Sequence, residues 1–236
     1  MIPYKDENPS ISFPVVTVLL IVLNVVIFLI TGLGGTERLG MIAHEWGVVP
    51  SSLVHGKAEV VQPVPWLTPL TGMFLHGGLL HLVANLLFLW IFGDNVEDRL
   101  GSLRFLLFYF LCGLCADFTH IVLFPNSSVP AIGASGAIAG VMGAYLVLFP
   151  GAKVRALLLL FPFIRTVRLP AFFYLIVWFA LQILSQVYHW GMEAGVAFGA
   201  HIGGFVLGML LLSLLKVDDK IINGPDPIRA PGHWGW

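Results

Sequence analysis

The sequence predicts an all-α membrane protein of six transmembrane helices, and three observations carry that prediction. Of its 236 residues 58% are hydrophobic and only 11% charged, at a mean hydropathy of +0.90. That is more apolar surface than a water-soluble core of this size can hide. Six apolar runs follow one another, most of them about the length of a membrane span. The basic residues are lopsided: with both termini on one side, ten of the twelve Lys and Arg fall on that side, leaving Arg38 and Lys57 on the other. The positive-inside rule then makes both termini cytoplasmic. The net charge of −1 and the lack of any basic run exclude nucleic acid as the main partner.

Taken in order, residues 1–13 form a short polar cytoplasmic segment, with Lys5, Asp6 and Glu7, and lack the features of a cleavable signal. The six-helix domain is expected over 14–215. Its first run, Val15 to Ile30, is a retained span. Gly32 to Thr71 is a long loop whose tryptophans, Trp46 and Trp66, suit the headgroup level. The second run, about Gly72 to Gly93, contains His76, His81 and Asn85, and a polar turn, Asp94 to Gly101, leads to the third, Leu103 to Phe124. In the third run Asp117 is one turn from His120, its expected partner. Cys112 and Cys115 lie three apart in apolar surroundings that offer nothing to activate a thiol, so they read as small core residues.

The fourth run, Ser135 to Phe149, is short. Gly151 to Leu169 holds four basic residues around an apolar patch, Ala156 to Arg165, too short to span and expected at the interface. The fifth and sixth runs are Pro170 to Tyr188 and Gly195 to Leu215, and 216–236 is a polar tail.

Gly133-Ala134-Ser135-Gly136 sets a hydroxyl between glycines where a loop becomes a helix. Such a stretch is either a small-residue junction or an exposed nucleophile. The topology discriminates, because it assigns depth. Ser135 begins the fourth helix at its outer end, and His201 lies six residues into the sixth, roughly 9 Å down at about 1.5 Å per residue. His81 and Asn85, at i and i+4 on one face of the second helix, reach a similar level from the same side. Glycines at four-residue spacing, Gly136 with Gly140 and Gly204 with Gly208, permit the close helix approach that a Ser135–His201 contact needs. In that arrangement His201 is the base that takes the proton of Ser135, and the Ser135 backbone N–H, Asn85 and His81 are candidate oxyanion donors. No acidic third member is evident, which makes a dyad. A zinc site is disfavoured: His76 and His81 are five apart rather than four, and no His-Glu-x-x-His occurs.

With Gly133-Ala134-Ser135-Gly136, Ala200-His201-x-x-Gly204-x-x-x-Gly208 and His76-Gly77-x-x-x-His81-x-x-x-Asn85 in this order, the chain resembles the rhomboid intramembrane serine proteases over about Pro14 to Leu215. The resemblance implies a rhomboid-like bundle with an interfacial first loop, around a water-filled cavity open to the outer side. It implies a Ser135/His201 dyad without cofactor or metal, Asn85 and His81 at the oxyanion hole, and His76 and Gly133 close to the site. Substrates would be membrane-anchored proteins cut in or near a transmembrane segment, entering beside the fifth helix under the loop 189–194. The alternative is a proteolytically inactive rhomboid-like protein that binds transmembrane helices, and the presence of both Ser135 and His201 favours the enzyme. The expected location is a bacterial inner membrane, crossed several times. Two positions depart from the family pattern: Trp66 is followed by Leu67 rather than Arg, and Ala139 stands where many members place an aromatic that stacks on the histidine.

Overall fold

The computed structural model describes residues 1–32, 34–56, 62–160, 163–190 and 196–214. The tail expected at 216–236 and most of the loop at 189–194 lie outside the described residues. The chain is a helical bundle. Four helices are long and apolar enough to cross a membrane: α1 (Val15–Gly32), α5 (Leu79–Leu100), α6 (Ser102–Leu123) and α8 (Ala171–Tyr188). Two shorter apolar helices, α7 (Ser135–Leu148) and α9 (Phe198–Leu214), take the places of the fourth and sixth expected spans.

The bundle is built around α7, which is buried at every position from Gly136 to Leu146. Its composition makes this possible, because Gly136, Ala137, Ala139, Gly140, Gly143 and Ala144 let neighbours come to backbone contact. A Cβ on Gly204 would fall on the Gly136 carbonyl, and one on Gly208 on the Gly140 carbonyl, so α7 and α9 touch without side chains between them. Cys112 of α6 fills the space beside Gly140, and both cysteines are free thiols. Phe92, Phe105, Phe108, Tyr109 and Tyr145 are among the largest fully buried side chains of the core. Leu19, Leu23, Leu80, Leu107, Phe118 and Leu184 point outward from the peripheral helices, as lipid-facing residues do.

Three segments differ from the expectation. The residues around Asp94 to Gly101, expected as a turn, are the last turns of α5, and their acids serve as caps. Glu97 is buried and accepts from the N–H groups of Val16 (2.9 Å) and Thr17 (2.8 Å) at the start of α1, and from the Ser102 hydroxyl (2.6 Å) at the start of α6. The two N–H groups are orphan donors that a helix start leaves without an intrahelical acceptor, and the Ser102 hydroxyl adds a side-chain tie from α6 to the same carboxylate.

The second difference is a small antiparallel sheet of β1 (Ile2–Asp6), β2 (Lys153–Leu160) and β3 (Phe163–Pro170), in the order β1-β2-β3. The stretch expected as an apolar patch at the interface is therefore a hairpin, and the polar start of the chain is its third strand. Val154 and Ala156 turn into the core, while Glu7, just past β1, pairs with Arg155 and Arg168 across the strands.

The third is the long first loop, which folds into α2 (Gly35–Trp46), α3 (Pro50–His55), a 3-10 turn (Pro65–Leu67) and α4 (Thr68–Gly72). Buried Gln62 ties it together, donating to the carbonyls of His44 (2.9 Å) and Gly47 (3.0 Å) and accepting from Ser52 (2.8 Å).

Asp6 ends β1 against the bundle, accepting from the Tyr145 hydroxyl at 2.6 Å and the Asn95 amide at 3.3 Å. Burial pushes its carboxyl up to about 7 from the ordinary 3.8. A raised carboxyl favours the state that keeps the proton, so its contribution to stability is fully present below about 3.8 and lost as pH rises through about 7. Thermal unfolding in detergent should show the melting temperature falling across that window. Asp6→Asn, which cannot ionise, should flatten the fall.

Candidate active site

The site is assembled by an ordered approach to the start of α7. Val48 and Ala131 exchange two backbone hydrogen bonds (3.0 and 2.8 Å), and the Gly133 N–H donates to the Gly72 carbonyl at 2.9 Å, so the first loop clamps the segment leading to Ser135. Gly133 must be glycine. Its φ is +119°, and a Cβ there would lie 2.8 Å from the His81 ring. Ser135 is the first residue of α7, where backbone N–H groups have no intrahelical acceptor and the helix dipole favours negative charge.

The Ser135 hydroxyl is 2.8 Å from Nε2 of His201, the fourth residue of α9. The backbone contact of α7 with α9 makes that distance possible. On the far side of the imidazole, Nδ1 is 2.8 Å from Oε1 of Gln182 on α8. An amide oxygen can only accept, so Nδ1 carries the proton and Nε2 is left to accept from the Ser135 hydroxyl. The imidazole also lies against Trp178 (centroids 6.0 Å apart) and edge-on to Phe198 (6.4 Å). Ala139 is buried in α7, and the aromatic neighbours of the His201 ring come from α8 and α9 instead.

His81 and Asn85 stand one turn apart on α5, and the Asn85 amide nitrogen donates to the His81 carbonyl at 3.0 Å, keeping its second hydrogen. Nδ1 of His81 accepts from the Gly77 N–H at 3.4 Å, which leaves the proton on Nε2, beside Gly133. His81, Asn85, His120, Ser135, Gln186 and His201 all line one cavity of about 1140 Å³. The four groups that sequence placed at one depth therefore share one space.

His76 differs from its expected setting. It precedes α5 in a non-helical stretch, is fully buried, and packs edge-on against the His81 ring (5.2 Å) without lining the cavity. Its Nδ1 faces the Phe74 carbonyl at 3.3 Å, and its Nε2 is buried without a partner among the described residues. The expected Asp117–His120 pair is also not formed among the described residues: His120 lines the cavity, and its Nδ1 is buried without a partner. Among the described residues no group of three His, Cys, Asp or Glu is disposed to hold a metal ion.

Gln182 and Trp178 were not singled out in the sequence. The available signal was a pair of amides, Gln182 and Gln186, at i and i+4 in an otherwise apolar fifth run.

Fold and site together define a class: a helical membrane protein in which a hydrogen-bonded serine and histidine, on two closely packed short helices, face an open, largely apolar cavity of the bundle into which a few polar side chains project. The Rhomboid domain family matches residues 64–217, and the chain belongs to the rhomboid family. It is 35% identical over 133 residues to "Rhomboid protease GluP" of Bacillus subtilis (strain 168), covering 56% of this chain and 24% of that one. It is 33% identical over 172 residues to "RHOMBOID-like protein 6, mitochondrial" of Arabidopsis thaliana, covering 70% and 48%. It is 30% identical over 79 residues to "Inactive rhomboid protein 1" of Drosophila melanogaster, covering 34% and 5%. The chain thus spans less than half the length of these relatives, and the family holds both proteases and members named as inactive.

Proposed function

We propose that this chain is an intramembrane serine endopeptidase that cleaves membrane-anchored proteins in or near a transmembrane segment. The observation that carries the reading is the 2.8 Å contact between Ser135 Oγ and His201 Nε2 at the start of α7, inside a cavity of the bundle. As the hydroxyl oxygen attacks the scissile carbonyl, His201 takes its proton and passes it to the leaving amine. Water then attacks the acyl-enzyme ester, again with His201 as base, and regenerates Ser135. The oxyanion formed at each step would be held by the Ser135 backbone N–H, the second amide hydrogen of Asn85 and Nε2–H of His81. None of these steps calls for a cofactor. The basic residues favour cytoplasmic termini and a cavity opening on the opposite face, and the likeness to the Bacillus subtilis protease favours a bacterial cell membrane.

The test is cleavage of a single-pass helical substrate by the purified protein in proteoliposomes. The native protein should cut it and Ser135→Ala should not. A helix-binding member without activity would bind the substrate and cut it in neither form. Asn85→Ala removes one oxyanion donor and should lower kcat by about 10²–10³-fold with binding little changed, which steady-state kinetics would read.

A further inference from the structure

We infer that Gln182 is a positioning residue for His201: its side-chain carbonyl, carried on α8, fixes the tautomer and orientation in which the imidazole can act as a base. The inference rests on the reading of Ser135 and His201 as nucleophile and base.

Neutral imidazole carries its proton on either nitrogen, and only one form serves here. With the proton on Nε2, the ring would present an N–H to the Ser135 hydroxyl and could not take its proton. Gln182 Oε1, 2.8 Å from Nδ1, selects the other form. The remaining neighbours of the ring cannot substitute. Trp178 and Phe198 limit where the ring lies, but their faces offer no acceptor for an Nδ1 proton. Among the described residues no carboxylate bonds to His201. The amide is neutral, so it orients the imidazolium formed during the reaction without adding a full negative charge beside it.

The placement of Gln182 supports this role. The buried positions of α8 are Ala171, Tyr174, Leu175 and Gln186, while Leu181, Ile183 and Leu184 around Gln182 are exposed. A glutamine in such a helix is costly unless it is bonded, and the bond it makes is to His201. The general base is thus assembled from two helices: α9 supplies the ring, and α8 supplies the acceptor that sets its protonation. A plain interhelical bond would instead hold α8 to α9, with little bearing on chemistry.

Kinetics on the full chain in proteoliposomes separate these roles. Gln182→Met keeps length and shape without the acceptor, and Gln182→Glu keeps an acceptor. We expect Gln182→Met to lower kcat by about 10- to 100-fold, with KM within about twofold and the melting temperature unchanged, and Gln182→Glu to stay within about threefold of native kcat. Three results would overturn the inference: a Gln182→Met variant with near-native kcat, a loss of kcat that tracks a fall in melting temperature, or a Gln182→Glu variant as impaired as Gln182→Met. A native protein that neither cleaves nor reacts with a fluorophosphonate would show instead that the underlying reading had failed, and the inference with it.

Discussion

Ser135→Ala and His201→Ala are each expected to reduce kcat/KM for a helical substrate by on the order of 10⁴ or more, and the double variant should lose nothing further. The non-additivity follows from the geometry. In the proposed reaction the hydroxyl is a weak nucleophile until Nε2, 2.8 Å away, takes its proton, and the later proton transfers of the imidazole all depend on the acyl-enzyme that this first step forms. Removing either partner removes the same step. Losses that added would mean the two side chains act separately, and the single 2.8 Å contact would lose its meaning. Thermal unfolding of all three variants is needed beside the kinetics, and it should stay close to native, because both side chains are only partly buried and truncating them leaves the glycine contacts intact.

The second large effect is structural. Gly208→Leu should destabilise the protein by about 3 kcal/mol or more and abolish reaction at Ser135. The added side chain would have to occupy the position of the Gly140 backbone, and a backbone inside a fully packed helix has nowhere to go. Moving α9 away from α7 also moves His201 from Ser135, so stability and reactivity should fall together. Gly40→Ala is the control: a Cβ there, on α2, meets nothing within 4 Å. It should leave the melting temperature near native or slightly raise it. Equal losses in the two variants would contradict the claim that backbone contact between α7 and α9 builds the site.

The residues proposed to carry the chemistry were legible in the sequence because each was an exception to its surroundings. Ser135 stood among glycines, and His201, His81 and Asn85 stood in apolar runs. Periodicity and the positive-inside count turned those exceptions into an expected shared depth, and in the structure the four side chains line one cavity. The apolar helices were legible for the same reason, since a lipid-facing run announces itself by length and composition, but not every boundary was: the second run, expected over Gly72 to Gly93, is a helix over Leu79–Leu100.

What sequence left hidden depended on partners far away in the chain. The sheet escaped because β2 and β3 are nearly uniform in hydropathy near their turn, which hides a strand's alternation, and because β1 pairs Ile2 with Leu157 across most of the chain. Glu97 reads as a loop acid until the starts of α1 and α6 are seen to need its oxygens. His76 was placed in a helix that Gly77 and Gly78 in fact delay until Leu79. Gln182 is an ordinary polar residue in its own helix, and its importance exists only relative to the ring of His201 on another.

The most direct test of the account is labelling of the purified protein with a fluorophosphonate, which reacts only with a serine that an adjacent base has activated. The native protein should be labelled on Ser135, as peptide mass mapping would read, and Ser135→Ala and His201→Ala should both remain unlabelled. Absence of label on folded native protein, or label that persists in His201→Ala, would contradict the claim that these two side chains form a working nucleophile and base.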